Sequence, residues 1–311
     1  MQKILGQIAA EIRVQVHQVK AAVELLDGGA TVPFIARYRK EATGGLDDIQ
    51  LRELEHRLGY LRELEDRREA VLKSIGEQGK LTAALRAAID AAPTKQELED
   101  LYLPFKPRRR TKGQMAREAG IEPLADRLFA DPALNPATEA VAFVKAEKGE
   151  GGEDFTTVPA VLDGVRDILS ERWAEDPALV QSLRAWLWTE GLFKSRLASG
   201  KDENNPDVAK FRDYFDYDEP IGRVPSHRAL AVFRGRQLEI LDAKLVLPEE
   251  PEPGQPSIAE GRIALHLGWR HAGRPADDLI RKCVAWTWRV KLSMSTERDL
   301  FTRLREEAEK V

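Results

Sequence analysis

The strongest constraint on the fold is a long helical seam in the first third of the chain. Between Asp47 and Ile75, leucine and isoleucine recur at intervals of three and four residues, which is the period of one helix face. Glu65 and Arg68 interrupt this seam. A stripe of this kind packs against a neighbouring helix. Its apolar members are Leu51, Leu54, Leu58, Leu61, Leu72 and Ile75.

Further start and stop signals extend the helical pattern along the chain. An amphipathic helix is predicted over residues 3–26, and Gly28 ends it. An alanine-rich helix over residues 81–92 follows the long seam closely enough to form an antiparallel hairpin with it. We therefore predict a mainly all-α scaffold with helical hairpins. Later helices begin at pairs of a capping residue and a proline, Asn135-Pro136, Asp176-Pro177 and Asn205-Pro206.

The expected β content is small. One segment, residues 238–247, is rich in apolar and β-branched side chains, and we predict at most a short strand there. For the domain organisation, we predict a helical N-terminal domain over residues 1–200 and a second helical segment over residues 201–311.

Composition excludes several classes of protein. The 311 residues include 48 basic and 52 acidic side chains, a formal charge of −4, and 42% are hydrophobic, which is typical of a globular protein. No apolar run approaches the roughly 18–20 residues of a membrane-spanning helix, and the N-terminus does not resemble a signal peptide. We therefore expect a cytoplasmic protein. Cys283 is the only cysteine, which excludes an internal disulfide.

The clearest candidate binding site is a basic loop over residues 103–117, where six basic residues stand without an acidic one. Cations packed so closely suit a polyanion, and the guanidinium fork of arginine matches phosphate. The alternative is that the loop pairs with carboxylates of the same protein. The loop cations are Lys106, Arg108, Arg109, Arg110, Lys112 and Arg117.

A second, smaller cluster consists of Arg37, Arg39 and Lys40. These side chains either reach phosphate or clamp helix ends through nearby carboxylates, and the clamp is the favoured interpretation. Phe34 and Ile35, just before them, are predicted to anchor the core.

No pattern in the sequence indicates catalysis, and we predict a protein that is not an enzyme and needs no metal or cofactor. Ser226 and His227 are neighbours that diverge along the chain, and Ser226 is expected to be a helix cap. His266 and His271 lie five residues apart, off the spacing of a helical metal pair. A solvated surface is the expected role of the acidic set Asp213, Asp216, Asp218 and Glu219.

Two long motifs carry a family resemblance. TVPFIARYRKEATGGL (residues 31–46) and LYLPFKPRRRTKGQMAREAGIEPL (residues 101–124) resemble the Tex family of bacterial transcription accessory proteins, which is related to eukaryotic Spt-type elongation factors. Residues 211–217, 221–235 and 269–278 fit the same family in the expected order. The resemblance therefore covers nearly the whole chain.

The resemblance implies the N-terminal helical part of a Tex-like protein. Such proteins continue into a ribonuclease-H-like domain, a helix-hairpin-helix region and an OB-fold that binds RNA. The last helical pattern reaches Val311 without a stop signal, so we expect a longer natural chain.

Two functions follow as expectations. In the first, the chain contributes to sequence-independent RNA or DNA binding in transcription, near RNA polymerase. In the second, it is a structural module that docks its downstream domains or the polymerase, and the missing OB-fold binds the nucleic acid.

Overall fold

The computed structural model describes residues 1–107 and 109–311, and the chain divides into two compact units, Met1–Lys106 and Pro107–Val311. Both units are built mainly of helices, so the predicted fold class is confirmed. The domain boundary predicted after residue 200 lies inside the second unit. In the described part of the chain, no helix is at once long enough and apolar enough to cross a membrane.

The helices of the first unit are α1 (Gln2–Ile12), α2 (Val16–Asp27), α3 (Val32–Tyr38), α4 (Lys40–Thr43), α5 (Asp48–Glu77), α6 (Ala83–Ala91) and α7 (Lys95–Tyr102). The unit is organised around α5, a helix of 30 residues. Its leucine seam is buried except at Leu72, which is half-buried, and α1, α2 and α3 pack against α5. Capping side chains start several helices of the unit: Asp47 begins α5, Thr82 begins α6 and Thr94 begins α7.

The single helix predicted over residues 3–26 is wrong, because two helices occupy that stretch. Arg13 adopts a left-handed backbone conformation with φ of 58° and ends α1. The N–H of Val14 then donates to the carbonyl oxygen of Ala9 at 3.0 Å, which closes the helix end. A new helix begins after Gln15, whose side chain and that of Gln18 form a reciprocal cap.

Arg68, which interrupts the leucine seam in the sequence, is buried in the first unit and only 6% exposed. Its guanidinium donates to the carbonyl oxygens of Ile89, Asp90 and Ala92 at the end of α6, at 3.1 Å for the last two. Glu65 receives a further hydrogen bond from it at 3.2 Å. Arg68 therefore interrupts the leucine seam because it acts as a clamp: it donates to the carbonyl groups at the end of α6 that have no partner within the helix.

We predict that Arg68→Ala destabilises the protein by about 3 kcal/mol, because several buried carbonyl oxygens lose their donor. Chemical denaturation followed by circular dichroism measures the change. Arg52→Ala removes an exposed arginine of the same helix, and its expected cost is below about 0.5 kcal/mol. Equal stabilities of the two variants would show that Arg68 is not a clamp.

The second unit combines helices with one small sheet. Asn135, Asp176 and Asn205 cap its helices as predicted, each accepting a backbone N–H. The π-helical segment Thr287–Leu292 joins its last two helices. The helices are α8 (Lys112–Glu118), α9 (Glu122–Ala130), α10 (Pro136–Ala140), α11 (Val158–Ala174), α12 (Pro177–Glu190), α13 (Pro206–Ala209), α14 (Ser226–Gln237), α15 (Ile258–Leu267), α16 (Asp277–Trp286) and α17 (Ser293–Glu309).

The sheet has three antiparallel strands, β1 (Leu192–Leu197), β2 (Asp216–Pro220) and β3 (Leu241–Val246), in the order β2-β1-β3. β3 is the strand predicted from the sequence, whereas the expectation of at most one strand is wrong. β2 was missed because its pattern is acidic, with Tyr217 buried between exposed Asp216 and Asp218. Arg196 of β1 pairs with Asp216 at 2.7 Å across the ladder.

Aromatic rings hold the sheet to the helices that cover it. Phe193, fully buried on β1, meets Phe233 of α14 at a centroid distance of 5.6 Å and Phe301 of α17 at 5.2 Å, both edge to face. This contact places α14 and α17 on the buried face of the sheet.

A buried carboxylate fixes the turn before α16. Asp277 accepts hydrogen bonds from the indole N–H of Trp269 at 3.0 Å, from the backbone N–H groups of Ala272 and Arg274 at 2.9 Å, and from the Arg274 guanidinium at 3.0 Å. Burial raises the pKa of Asp277, but these hydrogen bonds outweigh burial and hold its pKa well below the ordinary value. The ionised form therefore stabilises the fold.

Because its pKa is lower in the folded state, Asp277 contributes stability above its unfolded pKa of about 4, and this stability is lost as the pH falls towards the folded pKa. We predict that Asp277→Asn costs about 2–3 kcal/mol at pH 7 and removes part of the acid sensitivity. Denaturation curves between pH 3 and pH 8 measure both effects. Asp216→Asn, at an exposed position, is the control, and an equally flattened profile there would contradict the assignment.

Candidate nucleic-acid interface

The basic segment over residues 103–117 was predicted to be a loop, and this is wrong for its second half, because Lys112 and Arg117 lie on α8. Thr111 caps the helix by accepting the N–H of Gln114 at 3.0 Å, and Lys112 is the first helical residue. Lys106, Arg109 and Lys112 are exposed. Arg108, also predicted to bind nucleic acid, lies outside the described residues.

Arg110 is paired with glutamates of its own unit. Its guanidinium donates to Glu118 at 2.7 Å from Nε and to Glu153 at 3.3 Å. The hydrogen bond from Arg110 lowers the pKa of Glu118, and the same bond raises the pKa of Arg110. Arg110 is therefore a charge-neutralised part of the loop.

Arg117 is also held by glutamates, and it is half-buried. It donates to Glu122 at 2.8 Å and to Glu171 of α11 at 3.0 Å. Glu171, whose side chain is only 8% exposed, also accepts the hydroxyl of Thr111 at 2.6 Å. One buried carboxylate thus fixes both ends of α8 against α11.

α8 approaches α11 closely at Gly113. A Cβ atom there would lie 2.5 Å from Oε2 of Glu171 and 3.0 Å from the carbonyl oxygen of Asp167. Only glycine leaves room for this contact, which positions the start of α8 and the exposed residues before it.

The remaining described loop cations have no carboxylate partner. Lys106, Arg109 and Lys112 form no ion pair with any residue that the structure describes. Each of the two interpretations left open by the sequence therefore holds for part of the loop. Arg110 and Arg117 pair with carboxylates of their own unit, whereas Lys106, Arg109 and Lys112 present their charge to solvent.

The second predicted cluster is fully exposed. Arg37, Arg39 and Lys40 lie on the surface of α3 and α4, without ion-pair partners among the residues described. The favoured interpretation, a clamp through nearby carboxylates, is wrong for the described residues, although Arg39 does donate to the carbonyl oxygen of Tyr38 at the end of α3 at 3.0 Å. The end of α4 is held by Gln18, whose side-chain amide donates to the carbonyl oxygens of Thr43 at 3.1 Å and Gly44 at 3.2 Å.

The predicted core anchors behave differently from one another. Ile35 is fully buried, as expected, whereas Phe34 is 40% exposed. Phe34 and Tyr38 lie one turn apart on α3, and their ring centroids are 5.3 Å apart. Sequence reasoning missed these exposed rings, since aromatic residues in a helical pattern are usually core.

The other candidate residues occupy structural positions. Ser226 does not cap α14 with its side chain, contrary to the prediction, because Pro225 takes the cap position. His266 pairs with Asp176 at 2.9 Å, and His271 pairs with Asp278 at 2.8 Å. Among the described residues, no three histidine, cysteine or acidic side chains are grouped as metal ligands would be.

Fold and site together define a mainly helical protein with unpaired cations at two exposed places, and sequence comparison identifies its family. Residues 131–311 match the family model described as Tex central region-like, and residues 2–76 match the Tex-like protein N-terminal domain. The chain belongs to the Tex family, as the motifs indicated.

Three curated relatives show how far this similarity extends. Protein YhgF of Escherichia coli is 55% identical over 303 residues, which are 97% of this chain. Protein tex of Bordetella pertussis is 51% identical over 312 residues, and Transcriptional accessory protein Tex of Neisseria gonorrhoeae is 48% identical over 308 residues, each covering 99% of this chain. The chain spans 38% of the length of each of these relatives.

We predict that Gly113→Ala destabilises the second unit by about 1–3 kcal/mol, because the added methyl group forces α8 away from α11. Thermal melting measures the loss. Gly261→Ala is the matched control: it lies in the exposed interior of α15 with no atom within 4 Å of the new Cβ, and it should stabilise the protein by about 0.5–1 kcal/mol. A stable Gly113→Ala variant would contradict the close approach.

Proposed function

We propose that this chain is the helical part of a transcription accessory protein and contributes sequence-independent binding of RNA or DNA. Membership of the Tex family supports the role in transcription, since one relative carries the name Transcriptional accessory protein Tex. Binding would be to the sugar-phosphate backbone, which every sequence shares.

The observation that carries the binding proposal is the set of exposed cations without carboxylate partners. An arginine or lysine already paired with glutamate gains little from a phosphate, whereas an unpaired cation releases counterions when it binds one. Arg109 and Lys112 meet this condition at the start of α8, and Lys106 meets it at the end of the first unit. Arg37, Arg39 and Lys40 meet it on α3 and α4.

Arg110 and Arg117 have a different part in this proposal. Their hydrogen bonds to Glu118, Glu153 and Glu171 hold the loop in place. They act as positioning residues, and the contact with phosphate belongs to Arg109, Lys112 and, by its place in the sequence, Arg108.

The proposal assigns no reaction to the chain. We propose a cytoplasmic location, with RNA polymerase and the downstream domains of a Tex-like protein as further partners.

A second candidate function is a structural module that docks other domains or the polymerase. The internal ion pairs of Arg110 and Arg117 favour it, because they remove two of the predicted phosphate contacts. Under this alternative the isolated chain binds a protein partner and shows no salt-dependent affinity for nucleic acid.

We predict that Arg109→Ala with Lys112→Ala weakens RNA and DNA binding and flattens its salt dependence. Losing two phosphate contacts should reduce the slope of log affinity against log salt by about 1.4 for single strands and about 1.8 for duplex DNA. Fluorescence anisotropy over a range of salt concentrations measures the slope.

The control, Lys73→Ala with Arg86→Ala, removes the same charge from exposed positions on α5 and α6. An identical response of both double variants would show that net charge, and not the loop, governs binding. Absence of salt-sensitive affinity in the unaltered chain would reject nucleic-acid binding in favour of the structural module.

A further inference from the structure

The two exposed aromatic rings of α3 are unusual in this protein. Tyr38 is 56% exposed and Phe34 is 40% exposed, and every other phenylalanine, tyrosine and tryptophan in the described residues is buried or half-buried. Because exposed rings leave apolar area in water, a cluster of them indicates a surface that is covered in use. We call Phe34, Tyr38, Arg37, Arg39 and Lys40 the α3 patch.

The charge around these rings is positive. Arg39 places its guanidinium 5.2 Å from the centroid of Phe34 and donates to the carbonyl oxygen of Tyr38 at 3.0 Å, so this cation is held beside the rings. Asp48 contributes the one carboxylate among the residues that line the adjoining cavity of about 630 Å³, and Arg52 already pairs with it at 2.7 Å. Glu41, next to Lys40 on α4, adds one exposed carboxylate, so the three cations still leave the patch with a net positive charge.

The occupant that fits this combination must offer both a flat π-face and negative charge. An unpaired nucleotide has both, since its base stacks on aromatic rings or on a guanidinium plane while the neighbouring phosphates meet cations. A duplex presents the phosphates but hides its base faces. The acidic side chains of a peptide present charge without an aromatic π-face.

We propose that Phe34 and Tyr38 form a stacking platform for an unpaired base of single-stranded RNA or DNA, and that Arg37, Arg39 and Lys40 contact the flanking phosphates. This inference rests on the proposed nucleic-acid binding and adds a site for bases to it. Tyr38, the more exposed ring, provides the main stacking surface, because Arg39 lies over the ring of Phe34.

The test compares strands of equal charge that differ only in their bases. Twelve-nucleotide oligouridine RNA and oligothymidine DNA are titrated against the full chain, each beside a matched strand with abasic residues at the central positions. The unaltered chain should bind at least one base-bearing strand about fivefold or more tightly than its abasic counterpart.

Variants at Tyr38 locate the effect on α3. Tyr38→Leu keeps an apolar helix-forming side chain without a ring and should abolish most of the difference between base-bearing and abasic strands. Tyr38→Trp keeps a ring and should preserve the difference. Ile49→Ala, which removes a 75% exposed apolar side chain, is the control and should change neither affinity. Circular dichroism verifies that each variant is folded.

The failures of the two proposals are distinguishable. Equal affinity for base-bearing and abasic strands, with the salt dependence intact, would overturn the stacking platform and leave phosphate binding standing. No salt-dependent affinity for any strand would overturn both. Poly-glutamate that binds as tightly as the base-bearing strand, with the same sensitivity to Tyr38→Leu, would assign the α3 patch to an acidic protein and overturn the inference.

Discussion

The basic loop depends on the hydrogen bonds that the buried carboxylate of Glu171 accepts. This carboxylate receives the Arg117 guanidinium at 3.0 Å and the Thr111 hydroxyl at 2.6 Å, and it lies against Gly113, so α8 has one position on α11. A carboxylate removed from water needs such donors to replace its lost hydration. The cost of burying this charge is offset by the hydrogen bonds that also place Arg109 and Lys112 at the surface.

Much of the helical fold could be predicted from the sequence because its signals are local. The α5 seam and the caps at Asn135, Asp176 and Asn205 depend on residues within one or two turns. The β1 and β2 pairing could not be predicted in this way, since it joins residues 20 to 28 positions apart, and β2 has only one buried side chain, Tyr217. The break at Arg13 was also missed, because a left-handed arginine has no sequence signature.

Only part of the candidate site could be predicted, because local sequence signals do not show which distant residues pair with its cations. Sequence shows six cations in one loop, but their neutralisation depends on Glu153 and Glu171, which lie 43 and 54 residues away from the arginines they bind. The exposure of Phe34 depends likewise on how α3 meets α5, since the apolar character of this ring alone favours the core. Tertiary contacts therefore decide which charges and rings reach the solvent.

The side-chain amide of Gln18 constrains how the surface of α4 can change. This amide donates to the carbonyl oxygens of Thr43 and Gly44 at the end of α4. Gly44 has a φ of 65°, and a Cβ atom there would lie only 2.7 Å from the amide nitrogen of Gln18. Gln18 is half-buried and Gly44 is exposed, and together they hold the C-terminal end of the short helix that begins with Lys40. Changes at these two positions can thus re-orient α4, while the side chains that α4 itself carries stay the same.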